Sequence, residues 1–193
     1  MGVYLVSADD ADWAEDELLL NAAPLLGKAL KARGLPGYDG PPSSGPIPPG
    51  EGDHFEEKLY RPHRSYIALL GRYLTGDALA NILYWDMLIP VEFDGVILLD
   101  TASAYEDTTT VASSTHILKV MKTVAADLDL PIEQVPRRSD NLDIGTWFDD
   151  VETGDAQAPQ GLWRDDPDAA YYVAVYLRAA QFSLRRSCPM RYV

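Results

Sequence analysis

The chain is poor in the residues that hold metals and form disulfides: it has one cysteine, Cys188, and three histidines in 193 residues. A single cysteine excludes an intramolecular disulfide and every multi-cysteine zinc site. Positive charge is scarce as well. Sixteen Lys and Arg stand against thirty Asp and Glu, for a net charge of −14, so the field over most of the surface repels phosphate backbones and anionic lipid. No apolar run approaches the roughly 18 residues of a membrane span. The opening "MGVYLVSADDADW" has no basic lead before its short apolar stretch, which speaks against a signal peptide. Together these absences predict a soluble cytoplasmic protein with no nucleic-acid and no membrane partner.

Catalytic signatures are missing too. There is no Gly-x-Gly-x-x-Gly, P-loop, His-Glu-x-x-His or Gly-x-Ser-x-Gly. This argues against dinucleotide enzymes, P-loop NTPases, zincins and ordinary α/β-hydrolases.

What is present suits a globular core: 47% of residues are hydrophobic, enough for a single domain over residues 1–193. The charge is uneven along the chain. Residues 101–170 carry fourteen acids and five bases, whereas 171–193 carry no acid and four arginines, Arg178, Arg185, Arg186 and Arg191. That basic end is a patch fit for one anionic group or for the protein's own acidic surface. Residues 35–53 hold six prolines and five glycines, which fix φ repeatedly and remove donors, so this stretch reads as a loop or linker.

Periodicity predicts an α+β fold dominated by helices. Strands are expected at residues 3–6, 91–93 and 96–99, with 132–135 as an edge, and Asp94-Gly95 as the hairpin turn between the second and third. Ser7 is expected to start a first helix that Pro24 interrupts and Gly34 ends. Further helices follow "RSYIALLGRYLTG", "DALANILYWDMLIP", "THILKVMKTVAADLDL" after a cap at Ser113 or Ser114, and "SDNLDIGTWFDDVETG" with Ser139 as cap. The clearest begins at "DDPDAAYYVAVYLRAAQFSLRR", where Asp166 caps, Pro167 takes the first position, and apolar residues recur at helical spacing.

Two readings of function follow. The first is a binding or regulatory protein whose acidic surface engages a basic protein partner, as an immunity-type inhibitor does. Its contact residues would be the loop aromatics Tyr38, Tyr105 and Trp163, because rigid rings bury area at low entropic cost, and Asp143, Asp149 and Asp150 on the most acidic helix. The second is a small metal-assisted hydrolase or transferase built on "DHFEEKLYRPH". There His54, Glu57 and His63 supply nitrogen and oxygen ligands for a divalent metal, and Asp86, set among apolar residues, supplies a general acid. Against it, Pro62 breaks the helical register before His63, and the stretch then reads as a turn leading into a helix. A homodimer paired through the C-terminal helix is a further expectation.

Overall fold

The β-branched run near the N-terminus forms strand β1 (Val3–Ser7). From there the chain builds a six-stranded mixed sheet flanked by seven α-helices, seen in a computed structural model that describes residues 2–42 and 52–193. The expected break in the first helix falls at Asp16 and not at Pro24. Asp9 and Asp12 exchange side-chain and backbone hydrogen bonds to open α1 (Asp10–Glu15). The Asp16 carboxylate then accepts the N–H groups of Leu18 and Leu19 at 2.9 and 3.3 Å and starts α2 (Glu17–Ala32) afresh. Pro24 sits inside α2 because it and Leu20 face solvent, where water can satisfy the Leu20 carbonyl that the ring deprives of a donor. Ser7 belongs to β1, and its hydroxyl accepts from Phe55 N–H.

Strand β2 (Glu56–Leu59) pairs antiparallel with β1. This corrects the reading of "DHFEEKLYRPH" as a turn or the start of a helix: four of its residues are a sheet edge. Helices α3 (Arg64–Leu70) and α4 (Gly76–Leu83) follow, and α4 ends before β3 (Met87–Ile89), a fully buried strand that helical spacing had absorbed into the helix. β4 (Val96–Leu99) does not form the expected hairpin. Residues 91–93 are not a strand; Val91 and Phe93 turn their side chains into the core under α2, and β4 pairs with β5 (Thr109–Ser113). Pro90, with no N–H to give, ends the ladder just where the hairpin would have begun.

Helix α5 (Ser114–Asp127) is capped by Ser113, as expected, through His116 N–H. Residues 132–135 form a turn and not a strand, closed by hydrogen bonds from Gln134 and Val135 to the Pro131 carbonyl. Helix α6 (Asp143–Thr153) starts later than expected. Leu142 takes a left-handed φ of 60°, the Asp143 carboxylate receives the N–H groups of Asp140 and Asn141, and Ser139 is used elsewhere. A 3-10 turn (Leu162–Asp165) leads to α7 (Pro167–Arg186), capped by Asp166 as read from the sequence. The chain then returns as β6 (Met190–Tyr192).

The strand order is β2-β1-β6-β3-β5-β4, parallel only between β3 and β5. Alternate residues of the sheet point to two apolar layers. Met87, Ile89, Ile97, Leu99 and Val111 pack under Leu19, Ala22, Leu26 and Leu30 of α2. Leu5, Leu88, Ala112 and Met190 face α7. Every residue of α7 from 169 to 180 is buried, ringed by α3, α5, α6 and the sheet. Arg178 is the one charged residue in this stretch, and a helix buried all round belongs inside a core. The expected dimer seam is therefore consumed by the protein's own packing along those twelve residues.

The strap between α6 and α7 yields a first prediction. Trp163 is fully buried and its backbone N–H donates to the Leu128 carbonyl at 2.8 Å. A Cβ on Gly161 would stand 2.7 Å from the Asp129 carbonyl oxygen and 2.8 Å from the Trp163 ring. Gly161→Ala is expected to cost about 1–3 kcal/mol in urea denaturation, as overpacking does against backbone that cannot yield. An unchanged midpoint would show that the strap shifts freely.

Candidate binding cleft

The residues expected to bind metal have separate surroundings. Glu57 lies on β2 under the first turn of α6, wholly buried, and its carboxylate accepts from Ser139 Oγ, from Ile144 N–H at 2.7 Å and from Gly145 N–H at 3.3 Å. It satisfies donors that a helix N-terminus leaves open. Burial is the main influence on this carboxyl and raises it, with the Asp143 charge, to about 7 against the three donors. His54 is exposed, with Nδ1 on Asp53 at 2.8 Å and Nε2 on the Asp140 carbonyl at 3.1 Å. Burial pulls its imidazole down, but those hydrogen bonds outweigh it and hold the ring above its ordinary value. His63 sits between the rings of Tyr66 and Tyr172, 5.2 and 4.8 Å away, and burial lowers it. Among the described residues no three His, Cys, Asp or Glu side chains converge as a metal site would need.

Asp86 is half-buried and already engaged. It accepts from Ser103 Oγ at 2.9 Å and from Thr110 N–H at 2.7 Å, tying the loop at 100–108 to the end of β5. Tyr38 donates to the Ser187 carbonyl and meets Trp13 edge-on, and Trp163 is internal. Asp143 serves its own helix and Asp149 binds Arg61. Asp150 is half-buried on α6. Of the loop aromatics put forward as contacts, Tyr105 is the one that stands free, with 54% of its surface exposed.

Tyr105 overhangs a cleft that the sequence did not point to. Its floor is Tyr172 and Tyr176, one turn apart on α7, with Tyr192 of β6; its walls are His63, Leu59 and Leu83. Counting its open mouth, it holds about 820 Å³. The rings form a continuous series: Trp85 stacks on Tyr192 at 4.6 Å and meets Tyr176 at 5.7 Å, and Tyr66 reaches both Tyr176 and Tyr172 at 5.4 Å. Tyr172 and Tyr176 were legible only as a core stripe. Their role as a floor depends on β6, which brings Tyr192 beside Trp85 from the far end of the chain.

Comparison with protein-family models, curated proteins and solved structures finds no match to this chain.

At one end of the cleft lies Arg61, its guanidinium enclosed by the rings of Tyr60, Phe148 and Tyr171 at 5.4–5.6 Å. Three carboxylates close on it: Asp149 and Glu152 of α6 at 2.6 Å and Asp168 of α7 at 3.2 Å. One cation thus holds three acids against each other. The site stays net negative, and the carboxylates remain open to solvent while the cation does not. The loop carrying Tyr105 also holds exposed Asp100, Glu106 and Asp107. Aromatic rings beside an acidic cluster attract cations, by the ring quadrupole along the floor and by charge at the rim.

Proposed function

We propose that this chain is a binding or regulatory protein of the cytoplasm that engages a basic protein partner, in the manner of an immunity-type inhibitor. In this reading a Lys or Arg side chain of the partner enters the aromatic cleft. The observation that carries it is the clustering of Asp149, Glu152 and Asp168 on the single buried Arg61, next to an open cleft floored by tyrosines. The net charge of −14 would speed the approach of a basic partner. No helix among the described residues is long and apolar enough to cross a membrane, which fits a partner met in solution. Burial pushes the Cys188 thiol up to about 12, so it stays protonated at neutral pH.

The test is a fluorescence titration with a short Lys/Arg-rich peptide and with the same peptide bearing Glu in place of its basic residues. The basic peptide is expected to bind and to weaken as salt rises, and the acidic one to give no change. Tyr105→Ala, which removes an exposed ring and no core contact, should weaken the basic peptide by about 1–2 kcal/mol, the scale of a ring at an interface. Equal response to both peptides, or a Tyr105→Ala protein that binds as before, would remove the cleft from the reading.

A further inference from the structure

A second cleft lies apart from the aromatic one, between α5, α7 and the turn at 131–135. Leu118, Ile132 and Leu184 give it an apolar base, and three guanidiniums, Arg137, Arg178 and Arg185, stand around it with Gln181. In a chain with thirty acids this is an unusual gathering of positive charge, and among the described residues that line the cleft Glu133 is the one carboxylate. That carboxylate is engaged with Arg137 at 2.9 Å, in a pair both of whose members lie mostly in solvent.

Arg178 decides what the cleft is suited to hold. It is 96% buried, its residue exposure being 4%. Its donors go to neutral acceptors: Nη2 to the Ile132 and Val135 carbonyls, Nη1 to Gln181 Oε1 at 2.8 Å. Its Nε has no hydrogen-bond partner. Carbonyl oxygens satisfy N–H groups but leave the net charge standing, and a buried charge without a counter-charge is costly. Burial, with repulsion from Arg137 and Arg185 against a weaker attraction from Glu133, pushes Arg178 down to about 10, so it stays a cation at neutral pH. Arg185 also lies over the Phe182 ring at 5.9 Å, which positions it along the wall.

We infer that this cleft binds a phosphoryl group, free or carried on a small molecule, with Arg178 as its fixed anchor and Arg137 closing on it from the exposed side. Donors stand around the cleft on Arg178, Gln181 and Arg185 of α7 and on Arg137 of the segment after the turn. That arrangement suits a tetrahedral oxyanion, whose oxygens point in several directions, better than a planar carboxylate. Arg137 can release Glu133 at little cost, since an exposed pair contributes little. The four arginines at the basic end of the sequence do not act together: Arg178 and Arg185 line this cleft, Arg186 lines a separate pocket beside Cys188, and Arg191 pairs with Asp16 on the other face of the sheet.

Calorimetric titration of the purified protein with inorganic phosphate, phosphoserine and acetate, at ionic strength held constant with sodium chloride, tests this. Saturable millimolar binding of phosphate is expected if the ligand is the free ion, and tighter binding of phosphoserine if the group is carried. Acetate should bind markedly more weakly than either. Arg137→Ala should weaken phosphate about tenfold, as loss of one charge-assisted contact does, and Arg33→Ala, on the opposite face of the sheet, should leave it unchanged. Arg178→Met, which fills the same volume without charge, should abolish binding; if that variant does not fold, Arg137→Ala decides alone. No heat with phosphate or phosphoserine, acetate binding as tightly as phosphate, or an Arg137→Ala protein indistinguishable from the parent would each overturn the inference.

Discussion

Replacing Arg61 with alanine is expected to lower the unfolding free energy by about 3 kcal/mol at neutral pH. Two losses add. The guanidinium leaves a space between Tyr60, Phe148 and Tyr171, and Asp149, Glu152 and Asp168 are left facing each other without their cation. The figure belongs at the lower end of the range for breaking a buried pair because the three carboxylates are partly in solvent and can turn outward. Arg61→Lys should recover part of the loss: an ammonium keeps the charge but cannot fork to several carboxylates or lie flat on the rings. Chemical denaturation of the three proteins in parallel gives the comparison. A change below about 1 kcal/mol for Arg61→Ala would mean that the cluster behaves as an ordinary surface ion pair.

The second large effect is a dependence of stability on pH set by Glu57. The folded carboxyl holds its proton to about pH 7, whereas an unfolded one releases it near 4.5. Between those values the folded state binds the additional proton. The contribution is therefore fully present below pH 4.5 and is lost as pH rises through 7, an amount of about 3 kcal/mol. The groups facing Glu57 set the sign: burial under α6 and the nearby Asp143 charge favour the neutral form, while Ser139, Ile144 and Gly145 donate to the charged one. Unfolding curves of the parent and of Glu57→Gln, collected from pH 4.5 to 8, isolate the effect. The difference in stability between the two proteins should shift by about 3 kcal/mol across that window, moving in favour of the Gln variant as pH rises. A difference that stays flat, or moves the other way, would show that the three donors outweigh burial and keep Glu57 ionised.

Much of the helical layer was legible in the sequence, and the reason is local. Asp166-Pro167 fixes the start of α7, Ser113 fixes that of α5, and the stripes between caps and ends are long enough to read. The sheet was less legible because its strands are short and carry misleading residues. "EEKL" of β2 consists of good helix formers, yet it is a strand because β1 lies beside it and α6 needs an acceptor beneath its first turn. "MLI" of β3 has no alternation because both of its faces are covered, and "TTVAS" of β5 lies within a polar run. The contact residues fared similarly. Tyr105 could be picked out as a loop aromatic, but Tyr172, Tyr176 and Tyr192 become a floor only through pairing between strands distant in the chain. Trp163, an apparent loop ring, is core because the 3-10 turn at 162–165 swings it under α6.

Among the described residues, strand β6 is the sole strand between the β2-β1 pair and the β3-β5-β4 group. A nascent chain with residue 192 still inside the ribosome can therefore build two half-sheets but cannot join them. Until β6 arrives, the facing edges of β1 and β3 carry unpaired amides that another chain could capture. Synthesis thus leaves the centre of the molecule open until almost all of these 193 residues have emerged.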